Sequence, residues 1–202
     1  MTPARRLLAV GAVMAAGLAV GAWALSSSRQ PAHISTSAPA ALASPTPPAA
    51  ARAGPVRLRI PSIGVDAPVD EVGLTPQGDL ATPTDPGHVG WYRGGSLPGE
   101  PGSSVVDGHL DWWSGPAAFA DLGRLRAGDL LSVAFSDGHT ADFRVGTMDT
   151  YSADQRPPAQ LFRADGAPQL VLITCAGRWD GTRYLYRLVV TAQPVVVLGR
   201  GP

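Results

Sequence analysis

The chain carries one cysteine, Cys175, in 202 residues, and no lysine at all. A single cysteine excludes an intramolecular disulfide, so an oxidising compartment is not being used to staple this fold. The thiol needs another explanation, the plainest being a small buried hydrophobe. From Pro55 onward, 12 arginines face all 16 acidic residues, a net charge of −4, so the folded part lacks the positive field that nucleic-acid binding requires. Also missing are an internal repeat, a phosphate-cradling glycine loop and any tight His, Cys and carboxylate cluster. Neither a metal nor another cofactor is expected.

What is present begins with a long apolar run. Leu7 to Leu25 is free of charge, follows Arg5 and Arg6, and at helical rise spans roughly 29 Å, close to the bilayer's hydrocarbon thickness. The flanking arginines keep the N-terminus cytoplasmic and send the remainder outward. Residues 1–25 are therefore expected to be a cytoplasmic stub and single-pass anchor in the cell membrane. The alternative is a signal peptide cleaved near Ala22, Trp23 and Ala24, leaving a secreted protein. Residues 26–54 are rich in Ser, Ala and Pro, with no acid and no aromatic, and read as a disordered tether. One domain's length remains, 55–202, enough for a single core.

Within it, short β-branched or alternating segments broken by Gly, Pro and Asp predict an all-β barrel or sandwich of about eight strands. The strands are expected at Val56 to Val65, Ala67 to Leu74, Val89 to Tyr92, Ser103 to His109, Leu130 to Phe135, Thr140 to Thr147, Gln169 to Thr174 and Tyr184 to Ala192. Asp137 and Gly138, between LSVAF and TADFRV, mark a tight hairpin. Ala118, Leu122 and Leu125 repeat at helical spacing after Gly115, and PPAQLF from Pro157 predicts a second short helix.

A nucleophilic cysteine needs a base or a cation nearby. Of the four histidines, His33 lies in the tether, while His88 and His139 lie in turns. His109 closes the apolar run SVVDGHL, precedes Asp111, and is expected at a strand end. Arg187 interrupts YLYRLVV, where a guanidinium is costly unless it faces a polar site or solvent. Cys175 ends LVLITC, and only AGRWDGTR separates its strand from the next, so the two strands are expected side by side.

These residues resemble the sortases, cysteine transpeptidases of Gram-positive envelopes. LITC resembles the family's strand ending in Thr-Cys, GHLD its Gly-His-x-Asp block, and YLYRLVV the strand that carries its arginine. RIPSIGVDAPV, VGWYRGGSLPGEPGSSVV and FADLGRLRAGD are similar to the single-domain actinobacterial sortases called class F. The resemblance covers about Pro55 to Val195 and implies a closed eight-stranded β-barrel. It implies Cys175 as nucleophile, His109 as general acid and base, Arg187 as holder of the substrate backbone and oxyanion, and Thr174 as a substrate-positioning residue. Pro157, Pro158, Leu161 and Trp179 are then expected to line the substrate pocket. The implied reaction cleaves an LPXTG-like sorting motif through a thioacyl-enzyme, resolved by a cell-wall or protein amine, or by water, in a chain expected to be monomeric. Two positions depart from the pattern: Asp107 stands where the family has a small or apolar residue, and Leu188 where class F chains often have an acid. Asp107 and Asp111 are therefore candidate modulators of His109. The competing non-enzyme reading is an envelope-associated binding barrel with Cys175 buried and inert. An L,D-transpeptidase reading lacks the Ser-x-Gly-Cys-like context of that family.

Overall fold

Alternation in the folded part places Leu58, Ile60, Leu131, Val133 and Phe135 on one face of their strands, and all five are buried. The computed structural model describes residues 52–195. The expected anchor and nearly all of the tether lie outside the described residues. Ten strands follow in order: β1 Pro55–Ile60, β2 Val65–Val72, β3 Val89–Tyr92, β4 Ser103–Gly108, β5 Asp111–Trp112, β6 Gly115–Pro116, β7 Leu130–Phe135, β8 Thr140–Ser152, β9 Gln169–Trp179 and β10 Tyr184–Pro194. Eight of them close a barrel in the order β1-β2-β3-β4-β9-β10-β8-β7, and β5 and β6 form a separate two-stranded piece. The joins β2–β3 and β4–β9 are parallel; the others are antiparallel. Closure removes the unpaired edges that an open sheet would expose.

The eight-stranded barrel matches the expectation; several boundaries do not. Val56 to Val65 is not one strand, because Pro61 opens a 3-10 turn over Pro61–Ile63 and the chain reverses into β2. No α-helix occurs among the described residues, and no helix there is long and apolar enough to cross a membrane. The helix expected after Gly115 is replaced by β6, turns and a single 3-10 turn, Leu122–Arg124. Its apolar spacing is real but serves the interior: Phe119, Leu122 and Leu125 are buried in the main core cluster. The PPAQLF segment gives a 3-10 turn over Ala159–Phe162.

Apolar side chains occupy both faces of the β4–β9–β10 sheet, and this positions the site. Val106, Leu170, Leu172 and Val190 join the interior core, whereas Val105, Val171 and Val189 belong to a second cluster on the outer face. Successive strand residues alternate between faces. Asp107, Cys175 and Arg187 therefore continue the outer face, while Thr174 and Leu188 point inward with the core.

Candidate active site

β9 extends through Cys175 to Trp179, so the thiol sits within a strand rather than at the strand end expected. The turn to β10 is correspondingly tight. Cys175 pairs directly with Arg187 across the β9–β10 ladder. On its other side β9 runs parallel to β4, with Asp107 opposite Ile173. Arg187 and Cys175 thus form one row, with Asp107, Ile173 and Val189 in the next row down. His109 comes directly after Gly108, the last residue of β4, whose carbonyl is held by Thr174 next to the cysteine.

Several contacts fix His109. Thr174 Oγ1, on a side chain only 1% exposed, donates to the Gly108 carbonyl at 2.7 Å, locking the end of β4 to the residue before the cysteine. The Phe119 amide donates to the His109 carbonyl at 2.9 Å. Gly108 is required between these anchors, because a Cβ there would meet the Phe119 ring at 2.6 Å. On the imidazole, Nε2 lies 2.9 Å from the Pro83 carbonyl oxygen, which can only accept, so Nε2 carries the hydrogen. In the neutral ring Nδ1 is then the free acceptor. Pro83 is itself seated over Gly90, where a Cβ would meet Val72 at 2.9 Å and Pro83 Cδ at 3.0 Å. Trp112 tilts against the imidazole at 4.8 Å.

The Arg187 guanidinium donates from Nη1 to the Tyr186 carbonyl at 3.2 Å and takes part in none of the ion pairs among the described residues. Cys175 is half-buried and free. Burial pushes its thiol above the ordinary cysteine range; the Arg187 charge opposes that shift, and the Asp107 and Asp111 charges add to it. Burial likewise pushes the Asp107 carboxyl upward, against a hydrogen bond from Thr82 and the charges of His109 and Arg187. Asp111 is exposed and accepts the Tyr184 hydroxyl at 2.5 Å, tying β5 to the start of β10.

Of the expected pocket residues, Leu161 packs with Val105, Val171 and Val189 in the outer cluster, beside Leu80, Tyr92, Tyr151 and Ile173. Pro157 and Pro158 are half-buried just before its 3-10 turn, and the Pro158 carbonyl accepts from the Leu161 amide. Trp179 lies apart from that cluster, past Cys175 on β9, where it meets Tyr184 edge-on at 5.3 Å and stays 52% exposed. Leu80 and Tyr151 have no motif around them, and a backbone carbonyl such as that of Pro83 leaves no sequence signal. His88 pairs with Asp70 and Asp85, and His139 stacks on Phe135 beside Asp137, so neither joins the row. His33 lies outside the described residues. Among the described residues, no group of three or more His, Cys, Asp or Glu side chains is disposed to hold a metal ion.

A closed barrel presenting a cysteine paired with an arginine, with a histidine just past the end of the neighbouring strand, defines the kind of protein. The family description "Sortase domain" matches residues 58–195. The chain belongs to the sortase family, whose members are cysteine transpeptidases acting on sorting-signal substrates and amine acceptors. Solved structures agree. It is similar to sortase C1 from Streptococcus agalactiae at 25% identity and a TM-score of 0.56, over 70% of this chain and 67% of that one. Sortase C-1 from Actinomyces oris is similar at 27% identity and a TM-score of 0.53, over 70% and 73% of the two chains. A lid mutant of sortase A from Corynebacterium diphtheriae shares the fold at 23% identity and a TM-score of 0.56, over 73% and 74%. No curated protein matches.

Proposed function

We propose that this chain is a class F-like sortase that cleaves an LPXTG-like sorting motif through a thioacyl-enzyme on Cys175. The observation that carries the reading is the Cys175–Arg187 pair on the outer face of β9–β10, with His109 directly after the end of β4 and β4 tied to the residue before the cysteine by the Thr174–Gly108 hydrogen bond. The motif's leucine and proline lie upstream of its scissile bond, and the partly exposed apolar side chains that cover the outer cluster, Leu80, Tyr92, Tyr151 and Ile173, are the ones available to receive them. Pro157 and Pro158 shape the wall beside Leu161, whereas Trp179 lies on the opposite, leaving-group side.

In the acylation step the Cys175 thiol gives its proton to His109 as Sγ attacks the carbonyl carbon. Nδ1 is the atom for this transfer, since the Pro83 carbonyl holds Nε2–H. The Arg187 guanidinium, free of a carboxylate partner, neutralises the oxyanion. Collapse breaks the C–N bond, and the His109 proton leaves on the departing amine. An incoming cell-wall or protein amine then attacks the thioester and yields its proton to His109, and the thiol is restored as sulfur departs. Water in place of the amine gives hydrolysis. Thr174 acts by fixing Gly108, and through it His109, rather than by touching substrate. A membrane anchor at 1–25 with a tether to residue 54 would hold this site near substrates as they leave the membrane.

The test is turnover of LPXTG-like peptides by the full chain, with and without amine acceptors, beside Cys175→Ala, His109→Ala and Arg187→Ala. Cleavage by the native chain, lost in the first two variants and cut by about 10²-fold or more in the third, is expected. Equal turnover by Cys175→Ala would sink the reading.

A further inference from the structure

The carbonyl that fixes the His109 tautomer belongs to a stretch with few bonds of its own. Pro83 lies in the connection between β2 and β3. Among the described residues, no backbone–backbone hydrogen bond reaches Thr82, Pro83 or Thr84. The nearest on either side run from the Ala81 amide to the Gly73 carbonyl at 3.0 Å and from the His88 amide to the Asp85 carbonyl at 3.1 Å. A loop held only at its ends opens locally more easily than a paired strand does, yet the Pro83 carbonyl oxygen sits 2.9 Å from His109 Nε2. Something between those ends has to brace it.

Asp107 stands where that brace is needed. It pairs with Gly90 across the antiparallel β3–β4 ladder, and directly opposed residues of such a ladder point to one face. On that face the space a Gly90 Cβ would take is filled by Val72 and by Pro83 Cδ at 3.0 Å, so the Pro83 ring lies beside the Asp107 side chain. The Thr82 hydroxyl, on the residue before Pro83, donates to the Asp107 carboxyl. A carboxyl keeps an acceptor oxygen whether or not it is protonated, so this bond holds in either state. The contacts close a circuit. Asp107 meets Thr82 through the hydrogen bond, Thr82 continues into Pro83, the Pro83 carbonyl meets the imidazole, and Gly108 joins His109 back to Asp107. We propose that Asp107 is a positioning residue: through Thr82 its carboxyl fixes the Pro83 carbonyl that keeps the His109 hydrogen on Nε2 and leaves Nδ1 free.

The use made of Nδ1 rests on the transpeptidase reading, but the tautomer is read in the resting chain without substrate. Nitrogen NMR of the full chain, labelled at histidine and held at a pH where the ring is neutral, reports it, with the His109 signals assigned by their loss in His109→Gln. The native chain is expected to show one tautomer, hydrogen on Nε2. Asp107→Asn removes the charge but keeps an acceptor oxygen, and retains that single tautomer. Asp107→Leu keeps the approximate shape without the acceptor and gives a mixture of the two tautomers. Thr82→Val removes the donor from an exposed position, where folding is not at stake, and gives a mixture as well. In peptide turnover, Asp107→Leu and Thr82→Val lower kcat by about threefold or more and leave KM unchanged. A single tautomer in either of those two variants overturns the inference. So does an equal mixture in Asp107→Asn and Asp107→Leu, which would make the charge rather than the acceptor responsible. If the tautomers follow the expected pattern while the native chain turns over no peptide, the transpeptidase reading fails and the positioning role of Asp107 stands.

Discussion

At the scale of single residues, charge around Cys175 governs reactivity. The resting thiol is raised by burial and by two carboxylates, so it holds its proton at neutral pH. Iodoacetamide alkylation of Cys175 followed against pH is expected to reach half its maximal rate above the ordinary thiol range. Arg187→Gln moves that midpoint further up, because it removes the one opposing charge, and Asp107→Asn moves it down. A midpoint indifferent to both changes would contradict the electrostatic account. Asp107 also links to stability. Its carboxyl is raised in the folded state, so its contribution is fully present below the unfolded carboxylate pKa and is lost as pH rises through the folded one. Asp107→Asn is therefore expected to raise Tm at pH 7, with the gain vanishing as pH falls below the ordinary carboxylate range. Unchanged Tm at both ends would show that its burial carries no cost.

Between elements, two of the hydrogen bonds that hold the histidine and the end of β4 have tests of their own. Thr174→Val keeps the shape but strands the Gly108 carbonyl, at a cost of about 1–3 kcal/mol read by chemical denaturation. If stability is unaltered, the Thr174 hydroxyl is not the anchor of β4. Gly90→Ala pushes against Pro83 and Val72 and so displaces the carbonyl that holds His109 Nε2–H. Nitrogen NMR of the imidazole is expected to change from one tautomer to a mixture, and turnover to fall by about tenfold or more. A single retained tautomer would rule out that orienting role.

The same elements explain what the sequence could reveal. Cys175, His109 and Arg187 could be singled out as candidates because unusual residues in apolar segments, with motifs in a fixed order, are visible locally. The barrel was legible because period-2 alternation and the Asp137-Gly138 turn are local. What escaped was non-local. Nothing around Phe119 distinguishes an amphipathic helix from turns whose apolar side chains fill the interior, since both bury residues at similar spacing. The extension of β9 past Cys175 depends on pairing with β10 through a register shift between Tyr184 and Tyr186, with Gly177 at φ 77° in the bulged region. The Pro83 carbonyol contact joins residues 26 apart through the loop before β3, and Leu80 enters the outer cluster by the same loop.

For the molecule as a whole, the barrel sets β4, β9 and β10 side by side, and the proposed function puts the chemistry at Cys175 on their outer face. That proposal assigns acyl transfer to Cys175 and proton transfer to His109. The most direct measurement is the intact mass of the full chain quenched during reaction with an LPXTG-like peptide. The account predicts an added acyl fragment, mapped to Cys175, discharged by an amine acceptor and absent in Cys175→Ala. Peptide cleavage that proceeds in Cys175→Ala, or an adduct mapped to any other residue, would contradict it.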